Sequence, residues 1–171
     1  LAFHVAVSPD DVARQGISRL AARDFRYADN LGYAIKLLAI GRLLDGGLVA
    51  SVQPTLIHRE EPLAKVDGVL NAIQIEGDLV GRVLFQGRGA GPKPTASAIL
   101  ADVLDVARDI VAGRRPAEAI QRRAVTVHAP GAHRSRYYLR VTVADQPGVL
   151  ARISGILGER AISIASVVQF E

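Results

Sequence analysis

Three glycines lie close together between Gly87 and Thr95, at a junction between two predicted elements. The preceding residues, 78–86, are typical of a strand, with Val83 and Phe85 at apolar positions. A glycine-rich turn from a strand into a helix lets backbone N–H groups approach a ligand without obstruction by Cβ atoms. The segment is therefore a candidate wall of a cofactor or substrate site. The residues that follow place apolar side chains at helical spacing, namely Ile99, Val103, Ala107 and Ile110.

The spacing of these glycines carries limited information alone. Gly87, Gly89 and Gly91 form G-x-G-x-G, whereas a dinucleotide fingerprint is G-x-G-x-x-G. That fingerprint also needs an acidic residue about 20 positions later, after a second strand, and none is placed so here. A plain structural turn is the commoner interpretation of such a loop.

The order of segments upstream of the loop is more specific. It comprises Arg14-Gln-Gly-Ile17, Asn30-Leu-Gly-Tyr-Ala-Ile-Lys-Leu-Leu-Ala-Ile40, Val52-Gln-Pro-Thr-Leu-Ile57, Glu61-Pro-Leu-Ala64 and Asn71-Ala-Ile73. Together with the glycine loop, these closely resemble the C-terminal half of the substrate domain of homoserine dehydrogenase, over residues 1–113. The resemblance implies an oxidoreductase that interconverts aspartate semialdehyde and homoserine with NAD or NADP, toward threonine, methionine and isoleucine. The cofactor-binding residues it implies are Gly89, Ala90, Gly91 and Thr95.

The catalytic residues implied by the resemblance lie outside this sequence. In that family, a nucleotide-binding domain and a G-x-D-x-x-x-K motif with the catalytic lysine precede a segment like Leu1-Ala2-Phe3. We therefore expect them upstream of Leu1, and expect this chain alone neither to bind NAD or NADP stably nor to oxidise homoserine. Lys36 matches a different position of the family pattern. It is predicted to be a strand-end lysine that reaches solvent.

A second recognisable unit occupies the last 35 or so residues. Residues 138–144 alternate like a half-buried strand, and Asp145-Gln-Pro-Gly148 opens a helix with Asp145 as the expected cap. Residues 162–169 are predicted to be the next strand. The D-x-P-G helix start and the Ile162-Ser-Ile-x-Ser166 segment closely resemble the first half of an ACT regulatory domain. That resemblance implies a βαββαβ module, of which this sequence holds one helix and two strands.

ACT modules bind small amino acids between paired copies, where a helix start meets the second strand of the neighbour. Helix-start N–H groups can hold the carboxylate of such a ligand. The effector residues implied are Asp145, Gln146, Gly148, Val149, Leu150 and Ile162, with threonine as the expected effector. The alternative is that these residues only cap and pack the module, because capping accounts for Asp145 fully.

Composition narrows the class of protein. The chain has 171 residues, no Cys, 5% aromatic residues and a formal charge of +4. The absence of Cys excludes disulfides and thiolate metal sites, and no apolar run approaches a membrane span. The charge could suggest nucleic acid, but the arginines are spread out and no recognised nucleic-acid module is present. We expect a cytoplasmic protein that binds neither nucleic acid nor membrane.

The elements predicted along the chain form an α+β fold, with a mixed or antiparallel sheet, helices on one face, and then the partial ACT module. The predicted domains are 1–113, a linker at 114–135 and 136–171. Helix starts are predicted at 8–11 and 22–24, with Asp as cap. The predicted strands are 33–40, 48–58, 70–76 and 79–86, with turns at 45–47 and 76–78. Pro54 inside its strand predicts an edge position or a bulge.

The linker carries two arginine pairs, expected to be solvated, and a predicted short helix at 116–123 and strand at 124–128. His128 and His133 lie five apart, which could suggest a metal, but no third ligand is near, so both are expected to face solvent. His4 and His58 are isolated. No metal site is predicted.

Self-association is predicted from apolar surface. The strands between Leu48 and Phe85 are apolar at many consecutive positions, which is typical of burial on both faces or at an interface. In homoserine dehydrogenases the matching sheet pairs two subunits, so the resemblance implies at least a homodimer through residues 33–86. A second function class stays open, which is a non-catalytic amino-acid-binding or oligomerisation protein built from the same parts.

Overall fold

The computed structural model describes residues 3–114, 122–132 and 134–169. The chain divides into two compact units, Leu1–Arg134 and Ser135–Glu171. In chain order the first unit contains β1 (Val5–Ala6), β2 (Ala13–Arg14), α1 (Ala22–Asn30), β3 (Tyr33–Leu44), β4 (Gly47–His58), β5 (Leu70–Gly77), β6 (Gly81–Arg88), α2 (Pro92–Val111), β7 (Arg123–Ala124) and β8 (Thr126–His128).

The largest sheet of the first unit is built on a long antiparallel hairpin of β3 and β4. Its register runs from Tyr33 opposite His58 to Leu44 opposite Gly47. The turn contains Gly46, whose φ of +79° is readily adopted by glycine. β2 and β8 each pair with β4 in parallel, so the sheet is mixed. The predicted α+β class with a mixed sheet is confirmed.

The core of the first unit lies on β4, where strands flank it on both edges. Leu48, Val49 and Ser51 are buried there, as are Ala28 of α1 and Ala64 of the 3-10 helix Pro62–Lys65.

Pro54 lies beyond the positions at which β2 and β8 pair with β4. Among the described residues, the register gives it a neighbour only on β3, opposite Leu37. A proline fits such a position because it has no N–H to donate to a second neighbour. The predicted edge position of Pro54 is therefore confirmed.

β5 and β6 form a separate two-stranded antiparallel hairpin. The turn lies at residues 78–80, two residues later than predicted. Ile73 lies opposite Phe85, and these side chains are 66% and 61% exposed. Because side chains alternate between the faces of a strand, Gln74 and Gln86 belong to the opposite face. The hairpin is thus amphipathic, with an exposed apolar face.

Both predicted helix starts exist, but the predicted aspartate caps are wrong. The first is a 3-10 helix, Pro9–Asp11, whose N-cap is Ser8; the Ser8 Oγ accepts a hydrogen bond from the Asp10 N–H at 3.3 Å. The N-cap of α1 is Ala21, which has no capping side chain. Asp24 instead acts from the third helical position, where its carboxylate accepts from the Ala21 N–H at 2.8 Å.

The helix α2 begins four residues before the predicted start at Ala96. It ends at a glycine in the left-handed region, Gly113, with φ +65°. Beyond it, the Arg114 N–H donates to the Asp109 carbonyl at 2.9 Å, which closes the helix end. Its apolar stripe is exposed, with Ile99 57% and Ile110 73% accessible. None of the described helices, α2 included, is long and apolar enough to span a membrane.

Part of the predicted linker belongs to the sheets. β7 pairs in parallel with β1, and β8 pairs with β4, so the strand predicted at 124–128 is present as two short pieces. The helix predicted at 116–123 lies mostly outside the described residues, and its last residue, Arg123, is in β7. Arg114 is ion-paired with Asp109 at 3.0 Å. The partner strands that fix β7 and β8 are far away in sequence, so no local pattern revealed them.

The second unit contains one helix among the described residues 135–169, α3 (Val149–Glu159). The segments predicted as strands, 138–144 and 162–169, are not strands in this structure. A strand needs a neighbouring backbone to complete its hydrogen bonds. In a split βαβ arrangement, the two strands that flank a helix are not adjacent to each other. The sequence pattern is local, whereas strand pairing is decided by the folded chain.

Candidate functional site

The glycine loop joins β6 directly to α2. β6 ends at Arg88, and Gly91 is the N-cap of α2, with φ +112° and ψ +161°. That backbone region is open essentially only to glycine. The glycine at position 91 is therefore required by the chain path, whereas Ala90 before it is an exposed residue with ordinary backbone geometry. The backbone of this loop is uncovered at the helix start.

Thr95 closes the first turn of α2 onto the loop. Its backbone N–H donates to the Gly91 carbonyl at 3.2 Å, and its Oγ1 donates to the same oxygen at 2.8 Å. The hydroxyl proton is thus used within the protein. Thr95 holds the Gly91 peptide in place and leaves only its oxygen lone pairs for any other group.

The start of α2 has few N–H groups to offer an anion. Pro92 and Pro94 occupy the first and third helical positions and carry no N–H, which leaves Lys93 as the donor between them. A phosphate cradle depends on several such donors converging. This loop is therefore better suited to the close approach of a flat ring than to a polyphosphate.

A shallow cavity of about 290 Å³ lies beside the loop. It is bounded by the open end of the β5–β6 hairpin and by Gly89 of the glycine loop. Its lining residues are Asn71, Ala72, Ile73, Phe85, Gln86, Gly87, Arg88 and Gly89. Of the predicted cofactor residues Gly89, Ala90, Gly91 and Thr95, Gly89 is the one that lines this cavity. Gly91 and Thr95 lie at the start of α2.

The predicted effector residues fall at the two ends of α3. Gly148 is the N-cap, in the left-handed region with φ +85°. The prediction that Asp145 caps this helix is wrong, because Asp145 lies three residues before the cap and Pro147 precedes the helix. The D-x-P-G pattern predicts a helix start with the aspartate as cap. In the structure the glycine of this pattern, Gly148, is the residue directly before the first helical residue. Asp145, Gln146, Gly148, Val149 and Leu150 cluster at this end.

Ile162 lies beyond the opposite end of α3. Its N–H donates to the Leu157 carbonyl at 2.9 Å, and that of Ala161 donates to Gly158 at 2.9 Å. Together these bonds form a Schellman helix end. An 11-residue helix is about 16 Å long, so one copy of the chain does not bring Ile162 to the other predicted effector residues.

Lys36 is not a strand-end lysine that reaches solvent, and that prediction is wrong. It lies within β3, where its side chain is 22% exposed. Its Nζ donates to the Val66 carbonyl at 2.7 Å and to Asp67 Oδ1 at 2.5 Å. The sequence offered one signal for this, which is a lysine flanked by Ile35 and Leu37 inside an apolar strand.

The histidines carry no metal site within the described residues, where no group of three metal-ligating side chains occurs. His128 is half-buried rather than solvent-facing, because its ring lies against Gly47 of the neighbouring strand. His133 lies outside the described residues. His58 packs edge-on against Tyr33, with ring centroids 5.5 Å apart.

Comparison with known proteins assigns both units. Residues 1–104 match the family model described as homoserine dehydrogenase, and residues 137–171 match the ACT domain. The chain belongs to the homoserine dehydrogenase family. The resemblances drawn from the glycine loop and from the D-x-P-G segment are thereby confirmed.

Relatives of this homoserine dehydrogenase family chain match it along its whole length. It is 42% identical to a homoserine dehydrogenase of Pseudomonas aeruginosa over 177 residues, which covers 100% of this chain and 41% of the relative. It is also 42% identical to that of Neisseria gonorrhoeae, over 99% of this chain and 40% of the relative. The chain therefore spans about two fifths of the length of these relatives.

Solved structures agree with these sequence matches. A homoserine dehydrogenase from Thiobacillus denitrificans superimposes with a TM-score of 0.82 at 39% identity, covering 98% of this chain and 40% of that one. A homoserine dehydrogenase from S. aureus, crystallised at pH 7.0, superimposes with a TM-score of 0.62 at 30% identity, over 92% of this chain and 38% of that one.

Proposed function

We propose that the protein containing this chain interconverts aspartate semialdehyde and homoserine with NAD or NADP. The observation that carries this proposal is Gly91, held in a glycine-only conformation at the start of α2 within the 104 residues that match the family. The nicotinamide cofactor, when bound, supplies the hydride that reduces the aldehyde carbon. We place the enzyme in the cytoplasm, where the soluble cofactor pool and small amino-acid precursors meet.

The glycine loop forms one wall of the cofactor site in this proposal. Gly89, Ala90 and Gly91 present backbone with little side chain, so the nicotinamide ring approaches closely. Thr95 holds the Gly91 peptide in place through its two hydrogen bonds to the Gly91 carbonyl. The prolines at the start of α2 support a role at the nicotinamide ring and not at the pyrophosphate, because they remove N–H donors that a pyrophosphate would need.

The second unit binds a small amino acid, and threonine is our proposed effector. Helix geometry leaves the Leu150 and Ala151 N–H groups without helical acceptors, and no proline removes a donor within the first turn of α3. Such a helix start suits a carboxylate better than that of α2 does. Because Ile162 lies at the far end of the helix, a complete site needs Ile162 from a second copy of the module.

We also propose that the protein is at least a homodimer. The exposed apolar face of the β5–β6 hairpin, with Ile73 and Phe85 at its centre, is a surface that monomeric proteins rarely leave in contact with water. A second copy of the same sheet would cover it.

The full-length enzyme tests these proposals directly. Homoserine-dependent reduction of NAD or NADP, measured by absorbance, should be present, and threonine should bind in calorimetry and lower the rate. Threonine binding without any homoserine oxidation would instead indicate the non-catalytic amino-acid-binding protein. Homoserine oxidation that is unaffected by threonine would support the dehydrogenase activity and would exclude threonine as the effector.

A further inference from the structure

Asn71 occupies the space that a side chain on Gly89 would need. A Cβ placed on Gly89 would lie 2.5 Å from the Asn71 Nδ2, 3.2 Å from its Cγ and 3.7 Å from its Cβ. Gly89 is not among the glycines with positive φ. Its backbone would therefore accept alanine, and the obstacle is the packed amide of Asn71. At Gly91 the reverse holds, because φ excludes other residues while the surroundings leave room.

The position of Asn71 explains this contact. It is the second residue of β5 and lies opposite Gly87 in the register with β6. A Cβ placed on Gly87 would have no atom within 4 Å, so the Asn71 side chain is directed away from its paired residue. The Asn71 amide lies instead at Gly89 of the loop, two residues farther along the chain. Asn71 and Gly89 also line the same cavity.

We propose that Asn71 is a positioning residue for the glycine loop. Its amide, packed on the Gly89 backbone, sets how far the loop stands from β5. That spacing sets where Gly91 meets the nicotinamide. The proposal rests on the cofactor role proposed above, and it assigns Asn71 an effect through Gly89 and not a contact with the reacting atoms.

A double-variant cycle in the full-length enzyme tests this. Gly89→Ala should raise the KM for the nicotinamide cofactor by about tenfold, because the new methyl group must displace the Asn71 amide that positions the loop. Asn71→Ala should raise it less, since it only loosens the loop. The double variant Asn71→Ala/Gly89→Ala should return to within about threefold of the parent enzyme, because the methyl group fills the vacated space. Gly16→Ala, at an open site with ordinary φ and distant from the loop in sequence, is the matched control.

Amide hydrogen exchange at residues 89–91 and at Lys93 gives a second readout that needs no activity. Faster exchange in Gly89→Ala and recovery in the double variant are expected. If Gly89→Ala does not fold, recovery of folding in the double variant is the same rescue. Effects that add without rescue, in either readout, overturn the positioning role. If the unsubstituted protein does not oxidise homoserine but the double variant still recovers slow amide exchange, the proposed function is overturned. The contact between Asn71 and Gly89 is then still supported.

Discussion

Lys36 and Asp67 form an ion pair that links the first half of β3 to the segment before β5, with 2.5 Å between Nζ and Oδ1. The same ammonium group donates to the Val66 carbonyl at 2.7 Å. The two partners differ in burial, since the Lys36 side chain is 22% exposed and that of Asp67 is 80% exposed. The Val66 carbonyl is therefore a more buried acceptor than the Asp67 carboxylate. Through both bonds Lys36 fixes the chain just before β5, the strand that carries Asn71.

Replacing Lys36 should destabilise the protein more than replacing Asp67. Lys36→Met keeps a long side chain but removes the group that donates a hydrogen bond to the Val66 carbonyl. The free energy of unfolding, measured by urea denaturation, should therefore fall by about 1–3 kcal/mol. Asp67→Asn should cost less than about 1 kcal/mol, because exposed ion pairs are weak. In 1 M salt the Asp67 effect should vanish while the Lys36 effect persists. Equal costs for both variants would contradict this ranking.

Gly91→Ala should destabilise the loop through its backbone. Its φ of +112° is closed to alanine, which should lower the free energy of unfolding by about 1 kcal/mol or more. In the full-length enzyme the same change should weaken nicotinamide binding, measured by fluorescence titration. The stability control is Gly87→Ala, since Gly87 has ordinary φ and no atom within 4 Å of a new Cβ. Unchanged cofactor affinity in Gly91→Ala would remove the loop from the cofactor site.

The exposed face of the β5–β6 hairpin should carry the self-association. Phe85→Glu places a charge on the apolar face opposite Ile73 and should shift the equilibrium toward the monomer in sedimentation at micromolar concentration. Gln86→Glu adds the same charge on the other face of the strand and should leave association unchanged. A parent chain that sediments as a monomer of 18.2 kDa would exclude the proposed dimer.

Ala161→Gly should stabilise α3, because Ala161 holds a left-handed conformation with φ +54° at the helix end. Glycine adopts this conformation without the Cβ penalty. Amide exchange in α3 should therefore be slower, and the opening free energy derived from it should rise by about 1 kcal/mol. The same substitution at Ala151, inside the helix, should have the opposite sign and destabilise by about 1 kcal/mol. Destabilisation at both positions would argue against the Schellman geometry.

Much of the first unit follows from local sequence pattern. The four long strands β3 to β6, the turn at Gly46 and the helix after the glycine loop were all predicted, because alternation, helical spacing and turn residues act within a few positions of each other. The glycine loop itself was also placed correctly between a strand and a helix. Family membership came from the order of several such segments, none of which is specific alone.

Other features depend on partners that are distant along the chain. Lys36 bonds to a residue 31 positions later, and Asn71 packs against Gly89, so residue type at one position could not reveal either contact. β7 and β8 exist because β1 and β4 complete their hydrogen bonds. Residues 138–144 and 162–169 are predicted as strands from local pattern and are not strands in this structure. Side-chain periodicity is a property of the segment, whereas pairing and packing are properties of the folded chain.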